Sequence, residues 1–239
     1  MVRNKAIIDS VARGCLELSQ TQIDELTRSQ QKQSKLRFVG LCGYIGGGKD
    51  YVASYLQKTL ERKCEVVKFA TKLVEVTAQI LGVDNLSLFQ DRSWKEKKQF
   101  VWQCSLATSN ASERLISARE ALCIVGSLMR SVDPDIWIRA LANSCTDPDT
   151  LYIISDLRYQ NEMQYVQQND GIIVFIENLQ AGQNQHQKEY KDGKHQPHAS
   201  EELTWALYYG DIEADYRLLN NDYNDPKPLQ DFLLFLSMV

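Results

Sequence analysis

The apolar run Phe38-Val-Gly-Leu-Cys42 passes directly into Gly43-Tyr-Ile-Gly-Gly-Gly48-Lys49-Asp50, and helical spacing begins at once. This is G-x-x-x-x-G-K between a strand and a helix. No other feature restricts the fold as much. Glycines let the backbone turn tightly, so that successive N–H groups point at one anion. The helix N-terminus adds partial positive charge, and Lys49 adds a full one. The segment therefore predicts a phosphate site built from Gly43, Gly46, Gly47, Gly48 and Lys49. Position 50 departs from the common Ser or Thr. Asp50 either ligates Mg²⁺, directly or through water, or accepts hydrogen bonds from its neighbours.

The rest of the chain surrounds that motif with alternating strands and helices. Apolar spacing predicts strands over 36–42, 65–69, 151–155, 171–176 and 216–219. Helices are predicted over 49–62, 73–81, 119–130, 159–168 and 229–236, with another from Pro134 to Ala142. Such alternation implies an α/β fold with a parallel sheet covered on both faces. The polar and aromatic stretch 84–110 shows no strand pattern and is expected to be a mostly helical insertion. The almost wholly polar stretch 180–200 is expected to be a mobile loop or lid.

With 239 residues, the chain fits one large domain with a modest appendage, divided here as 1–35 and 36–239. Ile8, Val11, Ala12, Cys15 and Leu16 fall at helical spacing, and Ile23 and Leu26 suggest a second helix. The polar run Ser29–Ser34 reads as a linker. A helical appendage packing on the core or on a partner chain, and hence a possible homodimer, is preferred to a helix-turn-helix. No basic recognition stripe is visible there.

The net charge of −4, from 27 basic and 31 acidic side chains, argues against a nucleic-acid or anionic-membrane surface. The longest apolar runs, Ile172–Ile176 and Phe232–Leu236, fall far short of the roughly 20 residues that span a bilayer. The six cysteines are widely spaced with no CxxC, and are expected to be reduced core thiols of a cytoplasmic protein. His186, His195 and His198 are spaced too irregularly for a zinc site.

Two further segments carry candidate chemistry. In Leu151-Tyr-Ile-Ile-Ser-Asp156-Leu-Arg158 a hydrophobic strand ends in an acid, where parallel sheets place their ligands. Asp156 is a candidate to hold Mg²⁺ through water or to grip a substrate. Arg158 stands at the start of the next helix, where the dipole disfavours a merely structural cation. In Ser117–Arg130, Arg119 and Arg130 are candidate phosphate clamps, since guanidinium forks bind phosphate bidentately. Gly126-Ser127 permits close backbone approach. Trp137 reads equally as a stacking platform and as a core residue. Asp91–Glu96 reads as a solvated amphipathic helix.

The ordered series GYIGGGKD, KFATKL, DRSWKE, SAREAL-IVGSLMR, DIWIRAL, ISDLRYQNEM, PHASEE and DYRLLNND resembles the phage-type deoxynucleoside monophosphate kinases over about residues 36–239. The resemblance implies a P-loop kinase fold with a five-stranded parallel core. It also implies transfer of the γ-phosphoryl of ATP to a deoxynucleoside 5′-monophosphate, with Mg²⁺. It places ATP against Gly46 to Asp50, with Gly43 and Tyr51 beside them, and the monophosphate against Lys72, Arg119, Gly126, Ser127, Arg130 and Trp137. Asp156, Arg158 and Glu162 resemble the family's substrate group, and His198, Ser200 and Glu201 its lid end. Catalysis would fall to Lys49, Arg130, Asp156 and Arg158. The family also carries Asp at position 50, which makes Asp50 a candidate metal ligand. A viral origin, and with it a host cytoplasm, follows from the resemblance alone. Three positions depart from the pattern. Ser117-Ala118 replaces Thr-Pro and leaves that helix start less rigid. Val74 replaces a Lys, and Glu177-Asn178 replaces an Arg. Two other readings stay open: a P-loop kinase of another small acceptor, such as a dephospho-coenzyme A-like substrate, and a nucleotide-binding regulatory module.

Overall fold

A computed structural model describes residues 36–104, 112–178, 199–222 and 224–239. The N-terminal appendage, most of the proposed lid and all three histidines lie outside the described residues. The chain divides into two compact units. One is formed by the described residues up to Val66 and from Asp147 onward, the other by Val67–Thr146.

The first unit is built on a five-stranded sheet. Its strands are β1 (Phe38–Gly43), β2 (Cys64–Val67), β5 (Leu151–Ile154), β6 (Gly171–Glu177) and β7 (Tyr216–Leu219), in the order β2-β5-β1-β6-β7. β1 runs parallel to β5 and β6, and β6 parallel to β7. Every residue of β5, and every residue of β1 before Gly43, is buried. That pattern requires cover on both faces. Alternation along β1 then assigns the faces. Val39 and Leu41 join Leu151, Ile153, Val174 and Ile176 beneath α1 (Lys49–Thr59) and α8 (Lys227–Leu236). On the other face Phe38 stacks on Tyr152 with ring centroids 5.6 Å apart and meets Tyr165 of α6 (Gln160–Gln168) edge-on. α7 (Glu202–Tyr209) covers the same face, where the Cys42 thiol lies 3.5 Å from the Thr204 hydroxyl. This is the parallel-sheet α/β fold expected from the sequence: the motif strand is central and the loop emerges at its C-terminal end.

The second unit holds α2 (Ala70–Leu81), a 3₁₀ turn over Leu86–Gln90, α3 (Arg92–Glu96), β3 (Lys98–Cys104), β4 (Ser112–Ser117), α4 (Ala118–Val132) and α5 (Ile136–Ala142). The expected helical insertion over 84–110 contains a strand, and β3 pairs with β4 as an antiparallel hairpin. Phe100 turns inward to Phe89, Ala118 and Trp94, while Val101 and Leu115 face outward. This period-two alternation decides for strand. α5 also begins at Ile136 rather than at Pro134. The start of α4 is not loosened by the missing proline. The Ser117 Oγ accepts the Glu120 N–H at 3.1 Å, and the Glu120 carboxylate accepts the Ser117 N–H at 2.8 Å, a complete capping box.

The cysteine expectation holds in part. Among the described residues Cys42 and Cys145 are buried and Cys64 is half-buried, but Cys123 is exposed on α4. No helix among the described residues is long and apolar enough to cross a membrane.

Candidate phosphate-binding site

The loop after β1 follows from its glycines. A Cβ on Gly43 would lie 2.5 Å from the Ile176 carbonyl oxygen, so no side chain fits where β1 leaves the sheet. The Gly47 N–H bonds the Tyr44 carbonyl at 3.0 Å and closes the turn. Gly48 then adopts φ 92°, a left-handed conformation that favours glycine, and α1 begins at Lys49. Gly46 is exposed on the outside of the turn, and Tyr51 is exposed in the first turn of the helix.

Lys49 folds back over the loop. Its Nζ donates to the carbonyls of Gly43 at 2.6 Å and Tyr44 at 2.8 Å. Burial pushes its pKa down to about 8 from the ordinary 10.5, and the neighbouring Arg158 charge pushes the same way. Asp50 and Asp156 oppose the shift. Lys49, Asp50, Asp156 and Arg158 therefore share one electrostatic neighbourhood, as the sequence predicts. Burial likewise raises the Cys42 thiol, which stays protonated beneath the loop.

Asp50 is exposed in the first turn of α1, and the buried Ser155 donates its hydroxyl to the Asp50 Oδ1 at 3.0 Å. The pairing joins the loop helix to the C-terminal end of β5, one residue before Asp156. Sequence reading passed over Ser155, although its place before the strand-ending acid was a signal. No cluster of three His, Cys, Asp or Glu residues gathers among the described residues. One or two carboxylates with a hydroxyl suit Mg²⁺, which takes its remaining oxygens from water and phosphate. The donor set at Asp50, Ser155 and Asp156 fits that ion.

Glu162 lies in the first turn of α6. It is 3 % exposed, and its carboxylate accepts the N–H groups of Arg158 and Tyr159 at 2.9 and 3.1 Å. It fixes the turn that carries Arg158. Ser200 and Glu201 lie just before α7, and His198 lies outside the described residues.

Two asparagines that sequence reading gave no role lie under the loop. Asn220, the residue after β7, donates to the Gly47 carbonyl at 3.0 Å, and Asn178, the residue after β6, donates to the Asn220 carbonyl at 2.7 Å. Tyr44 packs edge-on against Trp205 and Tyr208 of α7, with centroids 5.3 and 5.6 Å away. A polar residue directly after a strand was the available signal for the asparagines.

The remaining candidates belong to the second unit. Arg130 and Gly126 are adjacent on α4: a Cβ on Gly126 would lie 3.3 Å from the Arg130 Nη1. Ser127 is exposed one residue on. The Arg119 Nε pairs with Glu96 at 2.6 Å, and Lys72 pairs with Glu75 at 2.5 Å. Trp137 is a core residue packed with Leu73 and Val125, and its indole N–H has no hydrogen-bond partner among the described residues. In the Asp91–Glu96 cluster, Asp91 caps α3 and Trp94 packs edge-on against Phe89 and Phe100, so that segment is tied to the core.

No family model and no curated protein matches the chain. Among solved structures it is similar to the shikimate kinase of Aquifex aeolicus, at 14 % identity over 84 % of this chain and 96 % of that one, with a TM-score of 0.39. It is also similar to the shikimate kinase of Acinetobacter baumannii in complex with shikimate, at 15 % identity over 87 % and 97 % of the two chains, with a TM-score of 0.40. With both scores below 0.5, the assignment of the fold stands on this chain's own strand order and loop geometry.

Proposed function

We propose that the chain is an ATP-dependent kinase that phosphorylates deoxynucleoside 5′-monophosphates to diphosphates. The observation that carries the phosphoryl-transfer reading is the loop. A half-buried lysine lies against two of its carbonyls, a helix starts behind it, and Asp156 and Arg158 are within electrostatic reach. The choice of acceptor rests on the sequence resemblance.

In this reading the loop amides from Gly46 to Asp50 receive the β- and γ-phosphates. Lys49 leaves the Gly43 and Tyr44 carbonyls to meet them. Asp50, Ser155 and Asp156 would hold Mg²⁺, which neutralises phosphate charge when bound. Arg158 spreads the charge that develops on the transferred group. The reaction forms a bond between the γ-phosphorus and an acceptor phosphate oxygen and breaks the one to the β–γ bridging oxygen. The acceptor oxygen is already anionic, so no residue has to remove a proton. Arg119 and Arg130 supply the cations for that acceptor, with Lys72, Gly126, Ser127 and Trp137 around it.

A panel of acceptors with an ADP-coupled readout tests this. It should contain the deoxynucleoside and ribonucleoside monophosphates, dephospho-coenzyme A and shikimate. Turnover confined to deoxynucleoside monophosphates is the expected result. Turnover of a hydroxyl acceptor alone would replace the proposed substrate with another small molecule. ATP binding without turnover of any acceptor would favour the regulatory module.

A further inference from the structure

We propose that Asn220 is a positioning residue for the phosphate loop: it holds the Gly47–Gly48 peptide plane so that the Gly48 N–H faces the nucleotide's phosphates. The proposal rests on the loop being the ATP site. A trans peptide carries its C=O and the following N–H on opposite edges of one plane. The Gly47 oxygen is turned inward, 3.0 Å from the Asn220 Nδ2. The Gly48 N–H must then point away from Asn220. Glycine on both sides leaves no Cβ to resist rotation of that plane. A flipped plane would present a carbonyl to the anion in place of a donor.

The other inward carbonyls are held from within the loop itself. Lys49 takes those of Gly43 and Tyr44, and the Gly48 carbonyl accepts the first helical bond, from Val52. The Gly47 carbonyl is held by a side chain 173 positions away. Asn220 is built for this task. It is 4 % exposed, its N–H bonds the Glu177 carbonyl at 2.8 Å, and its own carbonyl accepts from Asn178, 7 % exposed, at 2.7 Å. Both of its flanks are pinned, so the amide is fixed before any ligand arrives. Asn178 stands at one of the positions where the resemblance would place an arginine. Here it braces the clamp.

The test compares wild type with Asn220→Ala, Asn220→Asp and Asn178→Ala. ATP affinity is read by calorimetry, KM for ATP and for the acceptor separately, and melting temperature without ligand. Loss of the donor should raise the Kd and KM for ATP about tenfold, the scale of one lost hydrogen bond. The acceptor KM should not move. Asn220→Asp should be at least as severe, because it sets an acceptor against the Gly47 carbonyl. A purely structural asparagine would lower the melting temperature and leave the ATP affinity of the folded protein unchanged, which would overturn the clamp. If Asn220→Ala is not recovered folded, Asn178→Ala decides: a several-fold loss of ATP affinity supports the clamp, and unchanged affinity overturns it. Wild type that binds no ATP would instead overturn the reading of the loop itself, and the clamp with it.

Discussion

Lys49 is where burial and function oppose one another. Its ammonium is held at a pKa of about 8 chiefly by burial, with Arg158 pushing the same way, and Asp50 and Asp156 only partly offset the two. Arriving phosphates supply the missing counter-charge and restore the proton. Binding of ATP at pH 9 should therefore take up most of one proton, read as a dependence of calorimetric enthalpy on the buffer's ionisation heat. Lys49→Met should abolish that uptake, and Lys49→Ala should cut turnover by about 10² or more. A folded Lys49→Ala variant with near-normal turnover would remove the lysine from the site. The same shift has a consequence for stability. In the unfolded chain the lysine keeps its proton to about 10.5, and in the folded protein only to about 8. The cost of burying the charge is thus fully present below pH 8, and this group's contribution to stability rises with pH between those values. Asp50 and Ser155 give a second test. Asp50→Asn keeps the shape and the hydrogen-bonding reach but removes the anion. It should weaken ATP binding in the presence of Mg²⁺ more than in its absence, and an equal effect under both conditions would exclude Asp50 as a metal partner.

At the scale of elements, the parts with strong periodicity were legible. The four buried positions of β5, the apolar run into Gly43 and the stripe Ala121, Val125 and Met129 on α4 all read correctly, because burial leaves a sharp apolar pattern. The hairpin did not. Phe100, Val101 and Trp102 run together without alternation, although only Val101 of the three is exposed. Nor did α7, whose Leu203, Trp205, Leu207, Tyr208 and Tyr209 leave no polar face to give a period. In the site, the loop and Asp156 were visible as motifs. Ser155, Asn178 and Asn220 were not, because their roles depend on which strand ends lie side by side, and strand order is not written in any one segment. Glu162 also has a local role that no motif announces: one oxygen of its carboxylate accepts the backbone N–H groups of Arg158 and Tyr159. The capping box at Ser117 allows a test at this scale. Ser117→Ala removes the acceptor for the Glu120 N–H and should cost about 1 kcal/mol, lowering the melting temperature by about 2–4 °C. An unchanged melting temperature would mean the box adds nothing beyond solvation.

Over the whole molecule, the candidate residues fall into two sets that belong to different compact units. Gly43 to Tyr51, Asp156 and Arg158 lie in the unit with the parallel sheet, whereas Lys72, Arg119, Arg130 and Trp137 lie in the unit with the hairpin. In the proposed function Lys49 and its loop answer to ATP, and Arg119 and Arg130 to the acceptor. Variants in the two sets should therefore separate cleanly. The Arg119 Nε lies 2.6 Å from a Glu96 carboxylate oxygen, which keeps the acid's charge close by. Part of its charge is already compensated, and its side chain is 38 % exposed, so its worth to a monophosphate is at the lower end for a charge-assisted bond. Arg119→Ala should weaken monophosphate binding about tenfold and leave ATP affinity within about twofold. Lys49→Ala should show the opposite ranking. Glu96→Gln gives the sign control: it removes the competing carboxylate charge and should tighten monophosphate binding or leave it unchanged. Calorimetric titration of each variant with each nucleotide reads all three. If Arg119→Ala lost ATP and kept the monophosphate, Arg119 would leave the proposed acceptor site and join the residues that answer to ATP.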